Sequence, residues 1–529
     1  MNVIAVQEQT SYSTNTMFIT GSLPTNAVSE LTGLSNINAN GSIQKNLLLS
    51  YLGRVNYDYK NKYLLSASMR RDGSSKFAPG NKWGNFPSAS IGWRVKEESF
   101  LKNSAAISEL KLRAGYGELG NNGIGNYDWQ AVMLANTDYV FNNATSGGSY
   151  FNALANKDLK WESSKMTNVG IDLGLYENKI TFTAEWFNKV TDNLILGVPY
   201  PTSIGYRSPA YANIGKMKNY GMEFQVGYRI DAGKLKSNLS ANLSVVRNEV
   251  LNLSNATATI DAGFNQDYGA YNMTRTVIGQ PIQSFYGWLT DGIFQNAAEI
   301  AAGPVQVKGT NSTNSTSPGD IRFKDLSGPN GKPDGIIDSY DRTFLGSYMP
   351  KFTYGFNYSG TYKNFDFSVF LQGVYGNKIY NGTKVLTEGM LRLFNAGTGV
   401  LDAWTPTNTD TDIPRAISGD PNQNARTSNR FIESGSYLRL KTLSIGYTIP
   451  MSTWSKGNLN NIRIYISGQN LFTITKYTGY DPEVGAYTPL VNGVPGAPGT
   501  NGSGLLNNGI DYGLMPSSRT ILGGIQINF

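Results

Sequence analysis

Long stretches of the chain alternate between apolar and polar positions. In "NYGMEFQVGYRI", Tyr220, Met222, Phe224, Val226, Tyr228 and Ile230 fall on one face, and Gly221, Glu223, Gln225, Gly227 and Arg229 on the other. In "KFTYGFNYSG", Phe352, Tyr354, Phe356 and Tyr358 oppose Thr353, Gly355, Asn357 and Ser359. In "NIRIYISGQN", Ile462, Ile464 and Ile466 oppose Arg463, Tyr465 and Ser467. A period of two predicts strands with one buried or lipid-facing side and one wet side. The same test picks out segments near 47–59, 62–70, 86–95, 109–117, 166–176, 180–190, 235–245, 364–375 and 436–449. Roughly 14 to 16 strands are predicted, many of about ten residues or more.

Strands of a soluble sheet are usually about 5 to 6 residues long. Longer ones with a recurrent Ser/Thr/Asn/Gln/Glu/Arg face fit an all-β protein: a transmembrane antiparallel β-barrel, apolar side to lipid and polar side to a wet lumen. Closing the barrel removes the open backbone edges that lipid penalises. The connections have the matching asymmetry. Tight turns are predicted at Lys60-Asn61, Glu177-Asn178 and Lys363-Asn364. Long loops fall near 191–218, 248–274, 290–350, 376–435 and 473–517, within a single region spanning 1–529. Aromatics such as Tyr57, Tyr59, Tyr63, Trp93, Tyr228, Tyr358 and Phe365 gather near strand ends, where interfacial girdles lie. The chain finishes on an alternating "RTILGGIQINF", so Phe529 is predicted to end a barrel-closing strand at the membrane boundary.

Composition narrows the function. There is no cysteine and no histidine, so disulfides, thiolate metal sites and His-dependent catalysis are excluded, and the chain is not read as an enzyme. Lys plus Arg number 45 and Asp plus Glu 38, a net +7 without a basic block, so no nucleic-acid partner is expected. No apolar run reaches the roughly 18 to 20 residues of a membrane helix. "MNVIAVQEQT" has no signal-peptide pattern.

Several phrases carry a resemblance. "SYLGRVNYDYKNKYLLSASMRRDGSSKF", "NFPSASIGWRVKEESFL", "ELKLRAGYGELGNNGIGNY", "ESGSYLRLKTLSIGYTIP", "RIYISGQNLFTITKYTGYDPE" and "PSSRTILGGIQINF" resemble, in order, the SusC-like (SusC/RagA) branch of TonB-dependent outer-membrane transporters. The resemblance implies a barrel of about 22 strands. It also implies a SusD-like surface lipoprotein as lid, the TonB complex as energy source, outer-membrane lipid around the wall, and a glycan or oligopeptide as cargo. Family members are about twice as long and begin with a TonB box and plug, which this sequence lacks, so the chain reads as the C-terminal barrel portion, with further strands expected from more N-terminal sequence. The alternatives are a passive porin, or specific diffusion channel, and a soluble β-rich adhesin or binding protein.

The sharpest local motif is "KDLSGPNGKPDGIIDSYDR", 324–342. A calcium loop places hard oxygens at alternate positions around a glycine turn. The resemblance aligns Asp325, Ser327, Asp334, the Ile336 carbonyl, Asp338 and Asp341 with such a set once 329–333 are treated as an insertion, so Ca2+ is the one cofactor expected here. "GELGNNGIGNY" (117–127) is glycine-rich but opens no helix, so it reads as a surface or plug-facing loop. Glu97-Glu98 and Asp410/Asp412 read as solvated charges rather than a glycosidase pair. Tyr200, Tyr206, Tyr211, Trp288, Phe294, Trp404 and Tyr480 read as loop packing, girdle or lid contact before sugar binding.

Overall fold

In the computed structural model, the described residues are 2–528 except 23–34, 132, 152–153, 199–209, 254–258, 264–270, 308–314, 392–394, 451–460, 486–489, 492–493 and 496–506. Phe529, Tyr200 and Tyr206 lie outside them. The main sheet has 14 strands. In chain order they are β1 (Asn2–Ser22), β2 (Ser35–Tyr59), β3 (Tyr63–Ser74), β4 (Trp83–Arg94), β5 (Ile107–Asn121), β6 (Glu162–Leu175) and β7 (Ile180–Val198). Then follow β8 (Ala210–Ala232), β9 (Leu235–Asn252), β10 (Phe352–Tyr362), β11 (Phe365–Tyr375), β12 (Tyr437–Pro450), β13 (Asn461–Thr475) and β14 (Thr520–Asn528). No described helix is long and apolar enough to cross a membrane. The strand Asn2–Ser22 and a separate hairpin, Met133–Phe141 with Ala144–Phe151, were not predicted. Their alternation of large apolar and polar residues is weak.

The chain forms two compact units. The first comprises 1–93, 114–167 and 189–216. Here β1–β4 pair successively and antiparallel. The β2–β3 turn places Lys60 and Asn61 at φ 53° and 57°, a left-handed geometry that suits asparagine and bends the strands back sharply. A small core of Phe77, Phe86, Ile124, Leu159 and Trp161 packs beside this sheet. Ile124 draws the 117–127 loop into that core, and Asn122 Nδ2 donates to Ser74 Oγ at 3.0 Å, so the loop is packed structure, not an anion cradle.

The second unit comprises 94–113, 168–188 and 217–529. In it β9–β14 pair successively and antiparallel. Register keeps like with like across these strands. One row reads Leu239, Tyr358, Val369, Leu443, and another Tyr447, Ile464, Ile525. The outward apolar side chains remain open: Ile464 is 48% exposed and Ile466 56%. A continuous row of exposed large apolar residues along long strands marks a face turned to a non-aqueous neighbour. Tyr228, Tyr362, Phe365 and Tyr447 stand exposed at the short-turn ends, with Phe365 and Tyr447 rings 4.8 Å apart, forming the predicted girdle.

The described parts of this unit's long connections are folded into short strands and helices. Ile260–Ala262, Thr274–Thr276, Ser284–Gly287 and Thr343–Ser347 form a four-stranded sheet. Lys378–Asn381 pairs with Ile432–Ser434 and Ile510–Asp511. Helices α1 (Ala297–Ala302) and α2 (Gly382–Glu388) are N-capped by Asn296 and Asn381. Several of these pieces, α2 among them, share a core of Met273, Phe285, Tyr380, Val385, Phe431 and Ile510, all fully or almost fully buried.

Candidate functional site: a polar wall and a packed loop module

On the wet side of the second unit's wall, Arg113 of β5 donates to Asp172 of β6 at 3.2 Å and to Glu185 of β7. Thr183 Oγ1 donates to Asp172 and Asn168 Nδ2 to Glu185. Ser244 Oγ of β9 donates to Glu223 of β8 at 3.2 Å. Nearer the short turns Arg463 grips Asp366 with two bonds, 2.8 and 2.5 Å. These residues alternate with the outward apolar ones, so the pleat alone sorts them to opposite sides. A concavity of about 560 Å3 is lined by this wall, including Glu223, Gln225, Asn242, Thr353 and Gln372. Its charges are largely paired within the wall, and the rest of its lining mixes amides and hydroxyls with Phe224, Leu243, Tyr354 and Phe370. The wall holds neither a histidine nor a thiol to act as base or nucleophile.

The predicted calcium set closes on its own backbone instead. Asp341, fully buried, accepts from Leu326 N, Ser327 N and Asp338 N with its two carboxylate oxygens. Asp325 accepts from Asp334 N and Gly335 N, Asp334 from Ile336 N, and Asp338 from Tyr340 N. Ser327 Oγ donates weakly to Gly328 O at 3.4 Å. A calcium ion requires six to eight oxygens directed at one point. Among the described residues no three acidic groups gather to hold a metal. Asp325, Ser327, Asp334, Ile336, Asp338 and Asp341 fall in one loop, with its carboxylates turned towards backbone amides. Each oxygen of Asp325 and of Asp341 accepts from at least one amide N–H group.

Three clusters in the loops were not legible beforehand. Arg439, 4% exposed in its side chain, donates to Asp481 at 2.6 Å and Glu483 at 2.5 Å, while Lys441 and Tyr437 also reach Glu483. This clasp pins the "DPE" segment to β12. Burial works against the Asp481 carboxylate, yet Arg439 and the amides of Glu483 and Ser517 hold its pKa below the ordinary range. Asp320, fully buried, takes two bonds from Arg415 and one from Asn424. Asp420 accepts from Asn424 N and Ala425 N, and burial pushes its carboxyl up to about 6. At Arg439 and Asp320 residues 42 to 104 positions apart meet, which no local motif encodes. The loop aromatics follow the packing reading: Trp288, Phe294 and Trp404 are buried, Tyr211 packs on the first unit's core, and Tyr480 is exposed.

The family described as "TonB dependent receptor-like, beta-barrel" matches residues 6–471. The chain belongs to the TonB-dependent receptor β-barrel family. That membership places it in the outer membrane as barrel wall and removes the soluble adhesin reading. TonB-dependent receptor P3 of Formosa agariphila is 35% identical over 91% of this chain and 45% of its own length. TonB-dependent receptor SusC of Bacteroides thetaiotaomicron is 30% identical over 92% of this chain and 44% of its own. The chain spans about half the length of the curated relatives it matches. The solved RagAB peptide transporter matches in fold with a TM-score of 0.79 at 23% identity, covering 100% of this chain and 53% of that one.

Proposed function

We propose that this chain supplies the wall and extracellular loop module of an outer-membrane importer driven through TonB, acting with a SusD-like surface lipoprotein. The observation that carries the reading is the two-faced wall: exposed isoleucine and aromatic residues outward, paired carboxylates and guanidinium groups inward, in a TonB-dependent receptor barrel. The whole barrel would count about 22 strands, as the resemblance implies. The amides and hydroxyls of Gln225, Asn242, Thr353 and Gln372 favour a neutral cargo rich in hydrogen-bonding groups, a glycan or an oligopeptide backbone. The packed loops offer a stable platform for a lid.

The test is uptake of labelled oligosaccharide and oligopeptide pools by cells expressing the full-length protein, with and without the proton gradient. Import that stops when the gradient collapses supports the reading. Uptake that continues at the same rate assigns the protein to passive diffusion channels instead.

A further inference from the structure

Two successive arginines on β3 meet different fates. Arg70 points to the wet side, where Asp72 at 2.8 Å and Ser50 at 3.1 Å claim it. Arg71 points outward, in the row Tyr63, Leu65, Ala67, Met69, Arg71. Register sets it beside Tyr51 of β2 and Asn85 of β4. Its guanidinium lies 5.0 Å from the centre of the Trp83 ring, and Trp83 stacks on Tyr51 at 6.0 Å. Arg71, Trp83 and Tyr51 are all exposed. Among the described residues Arg71 meets no carboxylate.

Height decides what Arg71 faces. Tyr63 marks the short-turn girdle, and Arg71 stands eight residues further along, about 26 Å at strand rise. An outer apolar band is about 25 Å tall, and at a tilt of about 40° those 26 Å rise roughly 20 Å, so the long Arg71 side chain is within snorkelling reach of the opposite boundary, on the long-loop side. Tyr51 and Trp83 are thus the second aromatic belt, and a bare cation within that belt meets headgroups, not hydrocarbon. The second unit independently repeats the pattern. Lys218 Nζ sits 4.3 Å over the Tyr220 ring, eight residues from the girdle residue Tyr228. There Glu249, 3.5 Å away, partly satisfies the charge. The cations at the other boundary, Lys60 and Lys363, lie on hairpin tips.

We propose that Arg71, Trp83 and Tyr51 form a seat for the phosphate of an outer-leaflet lipid headgroup. The guanidinium supplies charge and paired donors for the phosphate oxygens, and the two rings fix its plane and exclude water from one side. This seat rests on the lipid-facing orientation of β3 and not on any cargo.

The experiment uses the full-length protein, delipidated in neutral detergent and titrated with diphosphoryl lipid A or its dephosphorylated form, with adducts counted by native mass spectrometry. The parent is expected to retain the phosphorylated lipid about fivefold better than the dephosphorylated one. Arg71→Gln should abolish that preference and Arg71→Lys keep most of it. Trp83→Leu, which preserves outward apolar area, should weaken it, and Lys218→Gln should change it by less than about twofold. Heat-dependent gel mobility checks that each variant is folded. Equal retention by the parent and Arg71→Gln, or no preference for the phosphorylated lipid, overturns the proposal. So does displacement by millimolar inorganic phosphate, which would mark a free-anion site. Loss of uptake with the lipid preference intact would count against the importer reading alone.

Discussion

Ile464 and Phe285 are both large apolar residues on strands of the second unit, and their surroundings are opposite. Ile464 is 48% exposed in a row of similar side chains across β12, β13 and β14. Phe285 is fully buried among Met273, Tyr380 and Ile510. The wall turns its apolar residues away from the protein and its ion pairs inward. The loop module does the reverse, as any water-soluble domain does. Hydrocarbon is thus one solvent and water the other, and the boundary runs through a single continuous unit.

The comparison can be broken at several points. Phe285→Ala should cost the loop module about 3–5 kcal/mol, because the cavity opens in a core with no lipid to fill it. Hydrogen exchange on the full-length protein should show the loss confined to 260–350, 376–435 and 507–513; equal loss in β9–β14 would show that the two regions are one cooperative core. Ile466→Arg, two residues inside the girdle row of Tyr447 and Ile464, should cost about 1–2 kcal/mol in equilibrium folding into vesicles, and Ser467→Arg close to none. Similar costs at both positions would remove the distinction between the faces.

The Asp420 carboxyl gives a pH test of the module alone. Its folded value of about 6 lies above the ordinary 3.8, so between these values the folded state binds more protons than the unfolded one. This group's contribution is fully present below pH 4, falls as pH rises, and levels off above about 6, a change of about 1–3 kcal/mol. Arg426 and Asp320 are the charges that bear on it. Asp420→Asn should flatten that slope in hydrogen exchange; an unchanged slope would assign it elsewhere. The smallest expected effect is calcium. Calorimetry on the parent and on Asp334→Ala, Asp338→Ala should give indistinguishable heats, and a binding isotherm confined to the parent would restore the cation site.

The wall was legible because a period of two needs only local sequence. Phe352 to Tyr358 and Ile462 to Ile466 declare their faces without any knowledge of partners, and Lys60-Asn61 declares its turn. The loop module was not legible, since its strands are mostly 3 to 5 residues long and too short for alternation to register. Its core unites Met273, Tyr380 and Ile510 from three separate connections. The Asp-rich loop shows a different limit. The motif points to oxygen ligands, and only the fold shows which backbone amides reach the Asp341 and Asp325 carboxylates. Arg439 looked like one of many strand cations until register brought Asp481 and Glu483 to it.

The central claim is the sidedness of the wall, and the absence of native cysteine makes it directly measurable. Single cysteines placed in turn at 462 to 467 of the full-length protein in lipid vesicles would be tested for labelling by a membrane-impermeant thiol reagent and for fluorescence quenching by brominated lipid. The account predicts strict alternation: positions 463, 465 and 467 labelled from water, and 462, 464 and 466 quenched by lipid. Uniform labelling along the strand, or lipid quenching on the arginine side, would contradict it.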